Sequence, residues 1–292
     1  MIRSTALRVL LAAACSWSAI LPARAQATVT RWAPPGISSA LFESHPAFDP
    51  STGDFYFVRS SREFKGWRIL ASRCGDTGWS TPVPPPFAGD GVEADPWFTP
   101  DGRQLYFIST RTTDGIAKRG LDIWRVARRP DGAWSTPERL PEPVNSPGNE
   151  WFPRQSPDGW LYLGSDRAGG AGKTDIWRAR EASPGQWRVE NLGPAINGQG
   201  HEYEAALSPD GEQMIVMTDE GLFRSRRAAS GWRAREKLGP EVNVNATEVG
   251  ALFSPSGRAF LFARDTRGEA SGEFFLARDA GPVEDWPPRC PR

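Results

Sequence analysis

Residues 149–177 read NEWFPRQSPDGWLYLGSDRAGGAGKTDIW, two short apolar runs joined by a turn and followed, after a glycine-rich link, by a third run. The turn Ser156-Pro157-Asp158-Gly159 has a mechanism. Proline presets φ at the first central position, aspartate bonds its local backbone, and glycine accepts positive φ at the exit. Two apolar runs around such a turn predict a β-hairpin.

The same phrase recurs along the chain. Equivalent turns are Asp49-Pro50-Ser51-Thr52-Gly53, Thr99-Pro100-Asp101-Gly102, Ser208-Pro209-Asp210-Gly211 and Ser254-Pro255-Ser256-Gly257. The prolines recur about every 50 residues, a period of propellers and solenoids. Each turn precedes an aromatic or aliphatic run, such as Phe55-Tyr56-Phe57 or Leu161-Tyr162-Leu163. A third run follows, such as Asp122-Ile123-Trp124 or Asp175-Ile176-Trp177, and then a lone tryptophan: Trp79, Trp134, Trp187, Trp232 and Trp286. Four strand candidates in fixed order spell a propeller blade. The expected fold is therefore all-β: a five-bladed β-propeller of four-stranded antiparallel blades, with copies starting near residues 43, 93, 150, 202 and 248. Val29 to Trp32 resembles an outer strand without its first three partners and is expected to close the ring from the N-terminus. Trp286 competes for that same place.

Upstream, Arg3 and Arg8 precede an apolar segment from Val9 to about Leu21, and Ala23-Arg24-Ala25 supplies small residues at a cleavage site. Residues 1–25 read as a secretory signal and 26–292 as one propeller domain, periplasmic or secreted. The segment is short for a transmembrane helix. Cys15 offers a loose lipobox and leaves a lipid anchor as the alternative. The chain carries 35 basic and 35 acidic residues, and removal of Arg3, Arg8 and Arg24 leaves 32 against 35. Such a balance gives no electrostatic pull toward nucleic acid, which needs a clustered basic face. Thirteen tryptophans and fifteen phenylalanines supply large buried areas. Beyond the signal, Cys74 and Cys290 remain, an even pair in an oxidising compartment, where a bridge between first and last repeats is expected.

Glu-x-x-Pro, Ser-Pro-Asp-Gly, an aromatic strand, Ser-Asp-Arg, a glycine-rich link and Asp-Ile-Trp together resemble the WD-repeat-like motif of the TolB-type propeller family. Residues 150–177 match most fully and 93–124 well; the other copies are weaker. The likeness implies a propeller and leaves function open, since one blade serves many proteins. The small α/β domain and sixth blade of TolB have no counterpart here, and no catalytic module follows Phe275.

Candidate chemistry lies at the blade starts. Glu43, Glu93, Glu150, Glu202 and Glu248 each stand three positions before Pro46, Pro96, Pro153, Ala205 and Ala251. Two readings are open: a carboxylate ring at the channel mouth that holds Ca²⁺ or a cationic ligand, or structural partners of Arg62, Arg111, Arg167 and Arg267 and of backbone donors. A residue repeated in every blade favours structure. His45 and His201, near Glu43 and Glu202, raise a transition-metal alternative. Gly169 to Thr174 lacks the Walker spacing and reads as a loop. No nucleophile motif of the Gly-x-Ser-x-Gly kind is present. With every strong signal structural, the chain is expected to be a non-enzymatic scaffold without a cofactor, binding a protein or cell-envelope component through one propeller face. The alternatives are a small-ligand or carbohydrate-binding, lectin-like propeller and a glycosidase-like enzyme, whose carboxylates would have to form an unmatched pair.

Overall fold

The computed structural model describes residues 27–112, 120–268 and 271–290; the signal-like segment with Cys15 lies outside them. Every regular element among the described residues is a strand, so the molecule is all-β. None of these residues form a helix long and apolar enough to cross a membrane.

Each repeat folds as an antiparallel meander. The third copy is the most complete: Glu150–Gln155, Leu161–Ser165, Asp175–Ser183 and Gln186–Asn191 pair in sequence order. The second copy runs Glu93–Phe98, Gln104–Ser109, Asp122–Ala127 and Glu138–Arg139. In the fourth, Glu202–Leu207, Gln213–Thr218 and Gly221–Ala228 are followed by two short partners of the third strand, Gly231–Trp232 and Glu236–Lys237. The first and last copies share a seven-stranded sheet, joined by one parallel pairing of Phe42 with Gly272. Thr28–Trp32 lies antiparallel along Gly272–Arg278, with Thr28 opposite Arg278 and Trp32 opposite Phe274. Trp286 does not take that edge; it packs edge-on against Phe48, ring centroids 6.2 Å apart.

The hairpin turns have their sequence-encoded geometry. Gly102, Gly159, Gly211 and Gly257 all have positive φ, and their amides donate to the carbonyls of Thr99, Ser156, Ser208 and Ser254. The aspartate after the proline accepts from the first hydroxyl of the turn, as Thr99 Oγ1 to Asp101 at 2.6 Å shows. The lone tryptophans pair back onto the third strand or just beyond its end: Trp187 with Glu181, Trp232 with Arg227, Trp134 with Arg128 and, in a separate short hairpin of the first copy, Trp79 with Cys74.

Second strands carry the core. Phe55, Phe57, Leu105, Phe107, Leu163 and Leu261 are fully buried, each stabilising by roughly 1.5–3 kcal/mol relative to exposure. Neighbouring copies meet through such side chains; Tyr56 packs edge-on against Phe98 at 5.0 Å. An asparagine five residues before the repeated glutamate, buried in the second and third copies and half-buried in the fourth, adds a lock. Asn145 accepts from the Ile123 amide and donates to its carbonyl, and Asn197 and Asn243 do the same for Ile176 and Leu222.

The inner strands position the centre. In each copy the ladder shifts register just after the repeated glutamate, between Ser44 and Ala47, Ala94 and Trp97, Trp151 and Arg154, Glu202 and Glu204, and Val249 and Leu252. Such a bulge re-aims a side chain. In four copies the residue inside it has positive φ: His45 at 51°, Asp95 at 58°, Phe152 at 51° and Gly250 at 68°.

Candidate active site

The five repeated glutamates are buried, and each accepts a hydrogen bond from the residue four positions before it. Ser39, Gly89, Gly198 and Val244 donate from their amides, at 3.2, 3.2, 3.0 and 2.8 Å, to Glu43, Glu93, Glu202 and Glu248. Ser146 donates its hydroxyl to Glu150. Arginines complete four of the sites: Arg59 on Glu43 at 2.7 Å, Arg111 on Glu93, Arg167 on Glu150 at 3.1 Å and Arg235 on Glu202 at 2.7 Å. Two expected partners are corrected. Glu43 stands opposite Arg59 in the ladder, and Arg62 instead donates to the Gly268 carbonyl. Near Glu248 the cation is Arg264, whose pKa burial lowers against the opposing pull of that carboxylate, while Arg267 lies past the strand end with its amide on Asp265.

These carboxylates thus turn into the loops that lead into their own strands instead of converging on a cation. Among the described residues, no group of three or more His, Cys, Asp or Glu side chains could hold a metal ion. His201 is not brought to the centre either. It takes part in a hydrogen bond with Thr174 Oγ1 at 3.0 Å and stacks on Tyr203, centroids 4.8 Å apart. The glycine link is a loop: Ala171 and Gly172 amides both donate to Asp175, at 2.7 and 2.9 Å. Cys74 and Cys290 form a disulfide with Cα atoms 5.5 Å apart.

The unmatched ionisable groups stand two positions later, inside the bulges of the first and second copies and, in the fourth, just after the bulged Tyr203. That position reads His45, Asp95, Phe152, Glu204 and Gly250. His45 Nε2 lies 2.9 Å from Glu204 Oε1 and 3.1 Å from Asp95 Oδ1, so the two carboxylate oxygens are no more than about 6 Å apart. His45 Nδ1 meets Ser44 Oγ at 2.8 Å. The other carboxylate oxygens are tied across copies: Phe152 donates its amide to Asp95 Oδ2 at 2.8 Å, and Gly250 donates to Glu204 Oε2 at 2.7 Å. Arg154 lies beneath, its guanidinium carbon 3.5 Å from the centre of the Phe152 ring.

His45, Asp95 and Glu204 form the floor of a cavity of about 290 Å³ whose walls include Phe64, Trp67, Trp151 and Tyr203. Burial raises the Asp95 pKa, and the Glu204 charge adds to this against the pull of His45 and Arg154. Burial lowers the His45 pKa, but the charges of Asp95 and Glu204 outweigh it and leave it raised. Burial pulls Arg154 down to about 10. One carboxyl biased toward its protonated form beside a second with a separate tie is the asymmetry that acid–base chemistry needs. Alignment on the invariant glutamate passes over Asp95, Glu204 and Arg154. Their signal is the opposite one, a position where the repeat is broken.

No family model matches the chain. A stretch of 129 residues is 33% identical to an uncharacterised protein of Agrobacterium fabrum, covering 43% of this chain and 39% of that protein's length. Solved structures share the fold more broadly. An α-L-arabinofuranosidase from Lactobacillus brevis aligns over 84% of this chain and 91% of its own, with TM-score 0.53 and 12% identity. A gluconolactonase from Xanthomonas campestris covers 89% and 92%, with TM-score 0.50 and 12% identity. A family 117 glycoside hydrolase from Zobellia galactanivorans covers 87% and 90%, with TM-score 0.54 and 11% identity. At such identities the likeness establishes the fold, which is propeller-like. It also overturns the expectation of a non-enzymatic scaffold, because all three of these propeller-like chains are enzymes. The physical reason is that a propeller's reactive groups are single residues from different copies, which leave no local motif.

Proposed function

We propose that this chain is an enzyme-like β-propeller that takes a small saccharide or sugar derivative into its central cavity and acts on it by acid–base chemistry. In this reading the five repeats are five blades, and Thr28–Trp32 completes the last one. The TolB-type motif marks a kinship of scaffold, and the chain works outside the cytoplasm, which the Cys74–Cys290 bond supports. The observation that carries the function is the broken repeat position, where three of five residues are ionisable and meet on one axis.

Asp95, held toward its acid form by burial, donates a proton to the leaving oxygen. Glu204 supplies the opposing carboxylate. Their separation of no more than about 6 Å is closer to the roughly 5–5.5 Å of direct attack than to the roughly 6.5–9.5 Å that leaves room for water. His45 keeps the pair from repelling and fixes both oxygens. Trp67, Trp151 and Tyr203 offer aromatic faces on which a sugar ring stacks.

The test is turnover of a panel of 4-nitrophenyl glycosides and aldonolactones, with binding of the parent sugars measured by calorimetry. Asp95→Asn and Glu204→Gln should each lower turnover by about 100-fold or more, with the circular dichroism unchanged. Turnover that survives both substitutions would refute the assignment. So would a panel with no turnover together with sugar binding insensitive to either variant.

A further inference from the structure

The opposite mouth of the molecule carries a second cavity. All five turn prolines, Pro50, Pro100, Pro157, Pro209 and Pro255, line a space of about 870 Å³, in the range of small-molecule sites. Its wall is apolar and aromatic, including Phe48, Trp97, Phe253 and Trp286, and Arg154 is part of its lining. Arg154 is 3% exposed. Its Nη1 donates to the carbonyls of Asp95 and Pro153, at 3.3 and 2.8 Å, whereas Nε and Nη2 are buried with no hydrogen-bond partner. An orphaned buried donor is costly, and one edge of a guanidinium is shaped for a carboxylate. The acid lining the same space, Asp49, is engaged by Arg128, which leaves Arg154 without a competing partner there.

We propose that this turn-side cavity binds an organic carboxylate with an apolar body, its carboxylate on Nε and Nη2 of Arg154 and its body against Trp97 and Trp286. The charged groups facing Arg154 are Asp95 and Glu204, which favour its charged form and are themselves held by His45. The apolar wall excludes a bare, hydrated anion, and the guanidinium excludes a plain hydrocarbon. This site is separate from the one assigned to the central carboxylates and does not depend on it.

Benzoate is the probe, read by quenching of tryptophan fluorescence in the full chain. Benzoate should quench saturably, and benzamide and inorganic phosphate should bind at least about tenfold more weakly. Arg154→Met should abolish the benzoate signal, and Trp97→Ala, at a partly exposed wall, should weaken binding in a protein that keeps its circular dichroism. If Arg154→Met fails to fold, the comparison of benzoate with benzamide in the wild type and the Trp97→Ala variant decide the matter. Equal binding of benzamide or phosphate, or benzoate binding unchanged in either variant, would overturn the proposal.

Discussion

Replacing Cys74 and Cys290 together by serine removes a cross-link between residues 216 apart. In the chain-entropy model, a loop of that length withholds about 18 cal/mol/K from the unfolded ensemble, or about 5 kcal/mol at 25 °C. That figure is reached only if the tail stays docked until the rest unfolds. The structure gives the tail three other holds. Trp286 is buried, its carbonyl accepts from Arg278 at 2.7 Å, and Glu284 accepts from Ser256 Oγ at 2.5 Å. The expected loss is therefore about 3–5 kcal/mol, or about 10 °C in melting temperature. Guanidinium unfolding of wild type and double variant measures it, and the variant should also show the steeper denaturant slope, because its unfolded chain expands further. A loss below about 1 kcal/mol with an unchanged slope would refute the reasoning. It would mean that the tail detaches early and the bond fastens nothing but itself.

Glu150→Gln should cost about 1–3 kcal/mol in urea unfolding, since Arg167 would keep a weaker partner, and Ca²⁺ should not shift the melting of either protein; a calcium shift lost on substitution would restore a cation site. The raised pKa of His45 means that its stabilisation is fully present below the unfolded value of 6.5 and is lost as pH rises through the higher folded value. The melting-temperature advantage of wild type over His45→Asn, a residue that tolerates positive φ, should therefore shrink from pH 5 to pH 9; a flat difference would contradict the assigned partners. Gly250→Ala should cost more than about 2 kcal/mol, because an added Cβ at φ +68° would lie 2.6 Å from the His45 amide nitrogen; a variant that melts with wild type would contradict the close approach.

Much of the scaffold is legible in the chain because it repeats. Ser156-Pro157-Asp158-Gly159 and its equivalents announce their turns, and Val29 to Trp32 announces a strand in need of a partner. Other features escape for physical reasons. Asn145, Asn197 and Asn243 repeat too, but an asparagine before a strand reads equally well as an ordinary loop residue. Arg59 and Arg264 differ from the expected partners because ladder register and tertiary approach, not spacing along the chain, decide which guanidinium reaches a carboxylate. His45 is visible as an isolated histidine, yet its meeting with Asp95 and Glu204 is made by strands 50 and 159 residues away. Only the folded arrangement turns three unrelated letters into one cluster.

The bulge in each inner strand separates two jobs. The glutamate before it holds a loop, and the second residue after that glutamate differs from copy to copy, so this position can be rewritten without rewriting the skeleton. Not every seat is equally open to revision. His45, Asp95 and Glu204 are occupied by ionisable groups, and Phe152 by an aromatic whose ring supports Arg154. Gly250 is barred to any side chain by the backbone of His45. Four of the five seats therefore admit different side chains, while one fixed void sets the direction from which the others are crowded together.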